Sequence, residues 1–449
     1  MRTYNKRIGF LISDQHLIAH GGIGQFAKSF TEMADRLNWK VDIIIDKKPT
    51  NVFSEVVQSM GANIVYPKEA VSYSEHTNLY AFSDSVNFEK VINFRRSILT
   101  AFNTNIYDML ICNTVESMMA ALCYDFGKYI PVVFYTHEES MVFRKSRNFK
   151  GVYNNSTTDF INRLMTVDNV VIGTQSPRNV DELLKNGAIS VKHLGMPLSE
   201  RELLEPSTVN KSGVLFIGRW ENRKNPEAFL NVIKETNLPA KVMTNTNGAK
   251  KFQAAFDEMN ITNYEMKVGI VGKEKVDFIK SSKVHYNPSY RENYPFTFYE
   301  SLGHCQCVVL DVQDWSTNFD DQYYHTTTTK QASSLIKQLH DDPYDNSSAL
   351  NYVKSLDDMI PEQWQTFLNE FNKKKSSNDS AKICKEVTTS YKDFIISLNR
   401  KNLAQEDIVS VLSNVTKFKV IYTDSNSYLT KDENYIPNEN VGANLFEGL

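Results

Sequence analysis

The chain has 449 residues, 41% of them hydrophobic and 23% charged, with a formal net charge of -3. That length exceeds what one hydrophobic core usually supports, so two domains are expected. The charge excludes a uniformly basic nucleic-acid coat while leaving room for a local basic patch, and no stretch approaches the roughly 18 continuous apolar residues of a membrane span. The opening, in which Met1 to Arg7 leads directly into Ile8–Ser13, is too short and too early for the apolar region of a signal peptide, and points to the cytoplasm. Five cysteines, odd in number and mostly within apolar segments, read as reduced thiols rather than as a disulfide framework.

Short apolar runs alternate with amphipathic stretches. Ile8–Ser13, Val41–Ile45, Met109–Cys112, Pro131–Tyr135 and Val170–Gly173 are brief, rich in β-branched residues and bounded by polar or turn-forming segments, which predicts buried parallel strands. Between the first two, Gln25–Leu37 carries Phe26, Phe30, Met33, Ala34 and Leu37 at helical spacing. The polar stretch Glu205–Gly213 reads as an interdomain linker. The pattern then restarts with Val214–Ile217, Ala240–Met243, Lys267–Val271, Lys283–Asn287 and Cys307–Leu310 as strands, and Pro226–Glu235 and Lys250–Glu258 as helices. Beyond Leu310 the patterning weakens. Asp379–Leu398 looks helical, and Pro437–Leu449 reads as a tail. The fold class is therefore α/β with two doubly wound domains, whose ligands bind outside the carboxyl ends of the strands.

Several motifs follow strands. Gly21-Gly22-Ile23-Gly24-Gln25-Phe26 opens the first helix, where glycines let a phosphate or sugar approach the backbone. Its spacing is not that of the dinucleotide fingerprint, and by itself it fits a tight turn equally well. Thr136-His137-Glu138-Glu139 stands at the end of a strand, so His137 projects towards the cleft side. Phe143-Arg144-Lys145-Ser146-Arg147-Asn148-Phe149-Lys150 holds four cations and no carboxylate, which suits either a phosphodiester backbone or a solvated face. Gly218-Arg219-Trp220-Glu221-Asn222-Arg223-Lys224-Asn225 places Arg219 and Lys224 at a strand's carboxyl end, suited to neutralising a diphosphate leaving group. His304-Cys305-Gln306-Cys307 matches no standard zinc spacing and reads as core.

The most informative segment is Glu292-Asn293-Tyr294-Pro295-Phe296-Thr297-Phe298-Tyr299-Glu300. Pro295 suits the first turn of a helix, whose outward-pointing amides form an anion cradle. Glu300 then falls one to two turns inside, within reach of a hydroxylated group whose phosphate is held at the helix end. A nucleotide-sugar has that layout.

Together, the glycine loop, His137, Gly218-Arg219 with Lys224-Asn225, and Glu292 with Glu300 resemble the retaining glycosyltransferases of the GT-B fold, the family-4 group in particular, from about Ile8 to Leu310. The resemblance implies two Rossmann-like domains facing across a cleft: residues 1–205 for the acceptor, residues 206–400 for the nucleotide-sugar, and 401–449 as a partly helical or flexible extension. It implies that Arg219 and Lys224 hold the donor diphosphate and that Glu300 binds the ribose. Glu292, with Asn293, Tyr294, Pro295, Phe296 and Thr297, would hold sugar and phosphate. Gly22 and Gly24 would let the donor lie against the first helix, and His137 would contact the sugar near its anomeric carbon. The implied donor is a UDP-sugar, carrying glucose or a pentose such as arabinose, with retention of configuration, no bound metal and no tightly bound cofactor.

The run from Tyr107 to Asn148 also looks like the DNA α-glucosyltransferases of T-even bacteriophages. This implies double-stranded DNA with 5-hydroxymethylcytosine as acceptor, contacted by Glu138, Arg144, Lys145, Arg147 and Lys150. Two other readings stand beside it: a bacterial transferase that builds surface polysaccharide or glycolipid, and a non-catalytic module that binds nucleotide-sugar or DNA.

Overall fold

The computed structural model describes residues 3–19, 21–50, 52–72, 88–102, 106–122, 130–137, 170–185, 188, 190–290, 292, 294–311, 313, 315–374, 396–399, 418–423 and 426–431. The chain forms two compact units, one of Met1–Gly195 with Pro361–Leu449, the other of Met196–Ile360. The polar stretch Glu205–Gly213, expected as a linker, lies inside the second unit, as do the buried Leu198, Leu203 and Leu204 that precede it. The chain returns to the first unit within the helix Ser347–Lys374, at Pro361, a residue that removes one bond from the helix's ladder.

In the first unit, β1 (Lys6–Leu11), β2 (Trp39–Ile44), β3 (Asn63–Val65), β4 (Met109–Cys112), β5 (Val132–Thr136), β6 (Val170–Thr174) and β7 (Val191–His193) form a parallel sheet. Its order is β3-β2-β1-β4-β5-β6-β7. In the second, β8 (Ser212–Ile217), β9 (Ala240–Thr244), β10 (Tyr264–Val268), β11 (Ser282–Asn287), β12 (Gln306–Leu310) and β13 (Tyr324–Thr327) repeat the plan as β10-β9-β8-β11-β12-β13, also parallel. In each unit the strand order reverses beside the first strand, between β1 and β4 and between β8 and β11. In doubly wound sheets such a reversal is where ligands bind, outside the carboxyl ends of the strands.

The near-continuous apolar character of these strands follows from burial on both faces. Residues Val132 to Thr136 and Gln306 to Leu310 are all buried. Helix Gly22–Arg36 turns Phe26, Phe30, Met33 and Ala34 onto the first sheet, each with no exposed surface. Trp364 completes that layer. Its ring lies 5.0 Å from Phe30 and 6.2 Å from Tyr135, and its indole N–H donates to the Gly195 carbonyl at 3.0 Å.

Three expectations shift. The strand expected over Lys267–Val271 is Tyr264–Val268, because positive φ at Gly269 and Gly272 turns the chain out of the sheet. Helix Gln25–Leu37 begins three residues earlier, at Gly22. Of the stretch Asp379–Leu398, expected to be helical, the described part belongs to the strand Ile396–Asn399, which pairs antiparallel with Asn426–Lys431, itself paired with Phe418–Thr423. Its Ile396 favours an extended backbone.

A buried charge ties the first unit together. Asp42, with no exposed surface, accepts from Arg7 Nε at 2.8 Å, from Asn63 Nδ2 at 2.9 Å and from the Tyr107 hydroxyl. Removing it strands a guanidinium and a buried hydroxyl. Asp42→Ala is expected to cost about 3 kcal/mol in urea denaturation, in the range for breaking a buried ion pair; a loss below about 1 kcal/mol would contradict that role.

Candidate functional site

The second unit gathers its charged residues at the reversal of strand order. β8 ends at Ile217, and the chain passes through Gly218 and Arg219 into a short 3₁₀ turn, Asn222–Lys224. Asn225 closes this turn with φ +51, a left-handed conformation that asparagine tolerates, and its side chain accepts from the Ala228 amide to cap helix Pro226–Thr236. Pro226 is the first helical residue, where its missing N–H is harmless. The loop is thus bent and capped by its own sequence.

β11 ends at Asn287, and the segment that follows is fastened to this loop. The Tyr290 amide donates to the Arg223 carbonyl at 2.9 Å, and the Trp315 indole donates to the Ser289 carbonyl at 3.3 Å. These bonds bring Glu292 to Lys224, whose ammonium donates to Glu292 Oε1, while Arg223 Nη1 lies 3.5 Å from Oε2. The Glu292 side chain is only 7% exposed and the Lys224 side chain 12%. Glu221 holds the other ends, taking Arg219 Nε at 3.0 Å and Arg223 Nε at 2.8 Å. Three cations and two carboxylates therefore share one loop cluster. Arg223 and Glu221, part of the quoted motif but given no role from sequence, belong to it as fully as Arg219 and Lys224.

Pro295 stands at the N-cap of the helix Phe296–Leu302 rather than in its first turn, and its carbonyl accepts from the Phe298 and Tyr299 amides at 2.9 and 3.1 Å. The amides of Phe296 and Thr297 precede that ladder. Tyr294 packs on Phe319 and Tyr299, with ring centroids 5.0 and 5.9 Å apart, and burial raises its hydroxyl well above the ordinary range. Asn293 lies outside the described residues.

Glu300 is the fifth residue of that helix and is 2% exposed. Its Oε1 accepts from the Lys275 ammonium and from Ser199 Oγ, the latter at 3.2 Å; its Oε2 is buried with no hydrogen-bond partner. Neither Lys275 nor Ser199 carries a motif in the sequence.

In the first unit, His137 follows β5 and lies half-buried against Phe26 and Tyr135, with centroids 5.7 and 5.0 Å away. Asn113, just past β4, donates through Nδ2 to the Leu11 carbonyl at 2.8 Å, which fixes the amide orientation. Its Oδ1 therefore faces His137 Nε2 at 2.8 Å, so this nitrogen carries the proton. A Cβ at Gly24 would lie 2.2 Å from the Ile18 carbonyl oxygen, so glycine is required for the loop to pass the helix. At Gly22 it would meet nothing within 4 Å, leaving open space at the helix start. Glu138, Arg144, Lys145, Arg147 and Lys150 lie outside the described residues.

Cys305 and Cys307 belong to the second unit's core, and Cys305 Sγ donates to the carbonyls of Ile279 and Ser282 at 3.6 and 3.5 Å. Among the described residues there is no group of three or more His, Cys, Asp or Glu that could hold a metal, and no helix long and apolar enough to cross a membrane.

Burial, reinforced by His16, pushes His137 down to about 3, and burial with the Lys224 charge does the same to His285, also to about 3. The unfolded chain takes up these protons near pH 6.5, whereas the folded one holds both rings neutral until about 3. Acidification from about 6.5 towards 3 therefore progressively removes stability. In an NMR titration, the ring signal assigned to His137 by its absence in His137→Gln should not move between pH 5 and 8. A midpoint near 6.5 would contradict the buried, neutral ring.

No protein-family model matches the chain, and no curated protein matches it. Solved structures do. Anabaena HepE, in complex with UDP and glucose, superposes with a TM-score of 0.58 at 11% identity, covering 82% of this chain and 100% of that one. Sucrose-phosphate synthase from Thermosynechococcus elongatus gives 0.62 at 11% identity, covering 82% and 99%. WaaG, described as a glycosyltransferase involved in lipopolysaccharide biosynthesis, gives 0.50 at 10% identity, covering 80% and 99%. At such identities the likeness is one of fold, and the fold is GT-B, two Rossmann-like α/β units.

Proposed function

We propose that the chain is a glycosyltransferase that moves a sugar from a UDP-sugar to a hydroxyl of a growing polysaccharide or glycolipid. One observation carries this: Arg219, Arg223 and Lys224 converge with Glu221 and Glu292 at the carboxyl ends of β8 and β11, where a doubly wound sheet binds its ligand. In this reading the second unit takes the donor and the first the acceptor. Lys224 and the arginines stabilise negative charge growing on the departing diphosphate. Glu292 holds the cations in place and meets the donor sugar, and Glu300 takes a ribose hydroxyl. His137 is neutral, and Asn113 fixes its ring through Nε2.

The reaction is a retaining one. The acceptor oxygen bonds to the anomeric carbon on the face that the diphosphate leaves, the carbon–oxygen bond to the diphosphate breaks, and the acceptor proton passes to the departing phosphate oxygen. HepE's complex with UDP and glucose supports a UDP-linked donor, and WaaG's place in lipopolysaccharide biosynthesis supports a saccharide acceptor. The residues implied to contact hydroxymethylcytosine DNA, Glu138, Arg144, Lys145, Arg147 and Lys150, lie outside those described, and none of the three compared structures is described as acting on DNA.

The test is incubation with UDP-glucose and UDP-pentoses against lipid-linked saccharides, lipooligosaccharide and hydroxymethylcytosine DNA, with products read by mass spectrometry. Transfer to a saccharide is expected, with kcat/KM falling about 100-fold in Lys224→Ala, the scale of losing one group that stabilises developing charge. Transfer to the modified DNA alone would overturn the acceptor assignment. Tight UDP binding without turnover on any acceptor, or on water, would overturn the enzyme itself.

A further inference from the structure

The carboxylate of Glu300 is divided in a way that its role as a ribose ligand does not by itself require. Its two donors among the described residues, the Lys275 ammonium and the Ser199 hydroxyl, both sit on Oε1, and Oε2 is buried with no hydrogen-bond partner among them. A buried carboxylate oxygen without a partner is costly, and so is a buried carboxylate without a counter-charge. Lys275 removes the second cost and leaves the first in place. The arrangement is built rather than incidental. Ser199 and Lys275 come from separate segments joined by another bond, in which the Gly272 amide, opening the helix Gly272–Lys280, donates to Glu200 Oε1 at 3.2 Å. That bond sets the start of the helix carrying Lys275 beside the residue that follows Ser199. The Lys275 side chain keeps 11% exposure against 1% for Glu300, so the pair is all but closed to solvent.

We infer that Lys275 and Ser199 are positioning residues for nucleotide recognition. By occupying Oε1 from two directions they fix rotation of the carboxylate, so that Oε2, left without a donor, is kept for one hydroxyl of the ribose and discriminates ribose from deoxyribose. This rests on the UDP-sugar reading. It assigns the discrimination to two residues that touch the carboxylate and not the ligand. Glu300 without these two donors would be free to rotate, which would blunt the contrast between a ribose that supplies the missing donor and one that does not.

The experiment is calorimetric binding of UDP, 2′-deoxy-UDP and 3′-deoxy-UDP to the full chain and to Ser199→Ala, Lys275→Met, Lys275→Arg and Glu300→Gln, each checked for folding by circular dichroism. The unsubstituted protein should bind one of the deoxy analogues about 10- to 100-fold more weakly than UDP, the scale of one hydrogen bond to a charged group. In Lys275→Met and Ser199→Ala the affinity for UDP should fall while that for the discriminated analogue stays nearly constant, so that the ratio drops towards one, as in Glu300→Gln; Lys275→Arg should recover part of it. If Lys275→Met does not fold, Ser199→Ala removes a single hydroxyl and decides the matter alone. A ratio left intact in the variants, or UDP and both analogues weakened equally as direct contact with the diphosphate would require, overturns the inference while leaving the transferase reading in place. Failure of the unsubstituted protein to bind UDP overturns that reading instead.

Discussion

The reversal of strand order is the constraint on which the rest of this molecule depends. With β8 and β11 side by side and their connections leaving in opposite directions, the loops after them part and leave backbone and side chains facing an open edge. The bond from the Tyr290 amide to the Arg223 carbonyl fastens the two loops across that edge. It allows residues 68 positions apart, Lys224 and Glu292, to meet as a pair. Local sequence supplies the bends through Asn225, Pro226 and Pro295, and the sheet supplies the meeting place.

Electrostatics then explain why so many charges sit together. Each cation of the loop after β8 already has a carboxylate, Glu221 or Glu292, which lowers the cost of holding partly buried ammonium and guanidinium groups near one another. Cations still outnumber carboxylates in that cluster, which leaves it a residual positive charge held by groups oriented in advance, as the proposed diphosphate site requires. Glu300 stands apart from that cluster, paired with Lys275. The first unit works by another principle. Its histidine is kept neutral by burial, and Asn113 sets its orientation through a bond to the end of β1.

Much of this was legible in the sequence, for reasons tied to particular residues. Strands such as Met109–Cys112 could be read because both faces are buried and the run is uniformly apolar. β3 and β7, at three residues each, are too short to leave a pattern, and β10 was misplaced because Ile270 and Val271 continue its apolar run past the turn at Gly269. Past Leu310, the helix Ala332–Asp341 buries only Ala332, Ile336 and Leu339, too sparse a stripe to stand out. Among the candidate site residues, Arg219, Lys224, Glu292 and Glu300 stand out in the sequence because they lie on strand-following motifs. Lys275 and Ser199 could not, since they lie 25 and 101 residues from the carboxylate they hold and only the folded chain brings them to it.

A crystal structure of the chain with UDP tests most directly whether Glu300, holding Lys275 and Ser199 on Oε1, keeps Oε2 for a ribose hydroxyl. The expected result is a ribose hydroxyl within hydrogen-bond distance of Oε2, with Lys275 and Ser199 still on Oε1 and the diphosphate against Arg219 and Lys224. A ribose bound away from Glu300, or a Lys275 that has left the carboxylate for the phosphates, would contradict it.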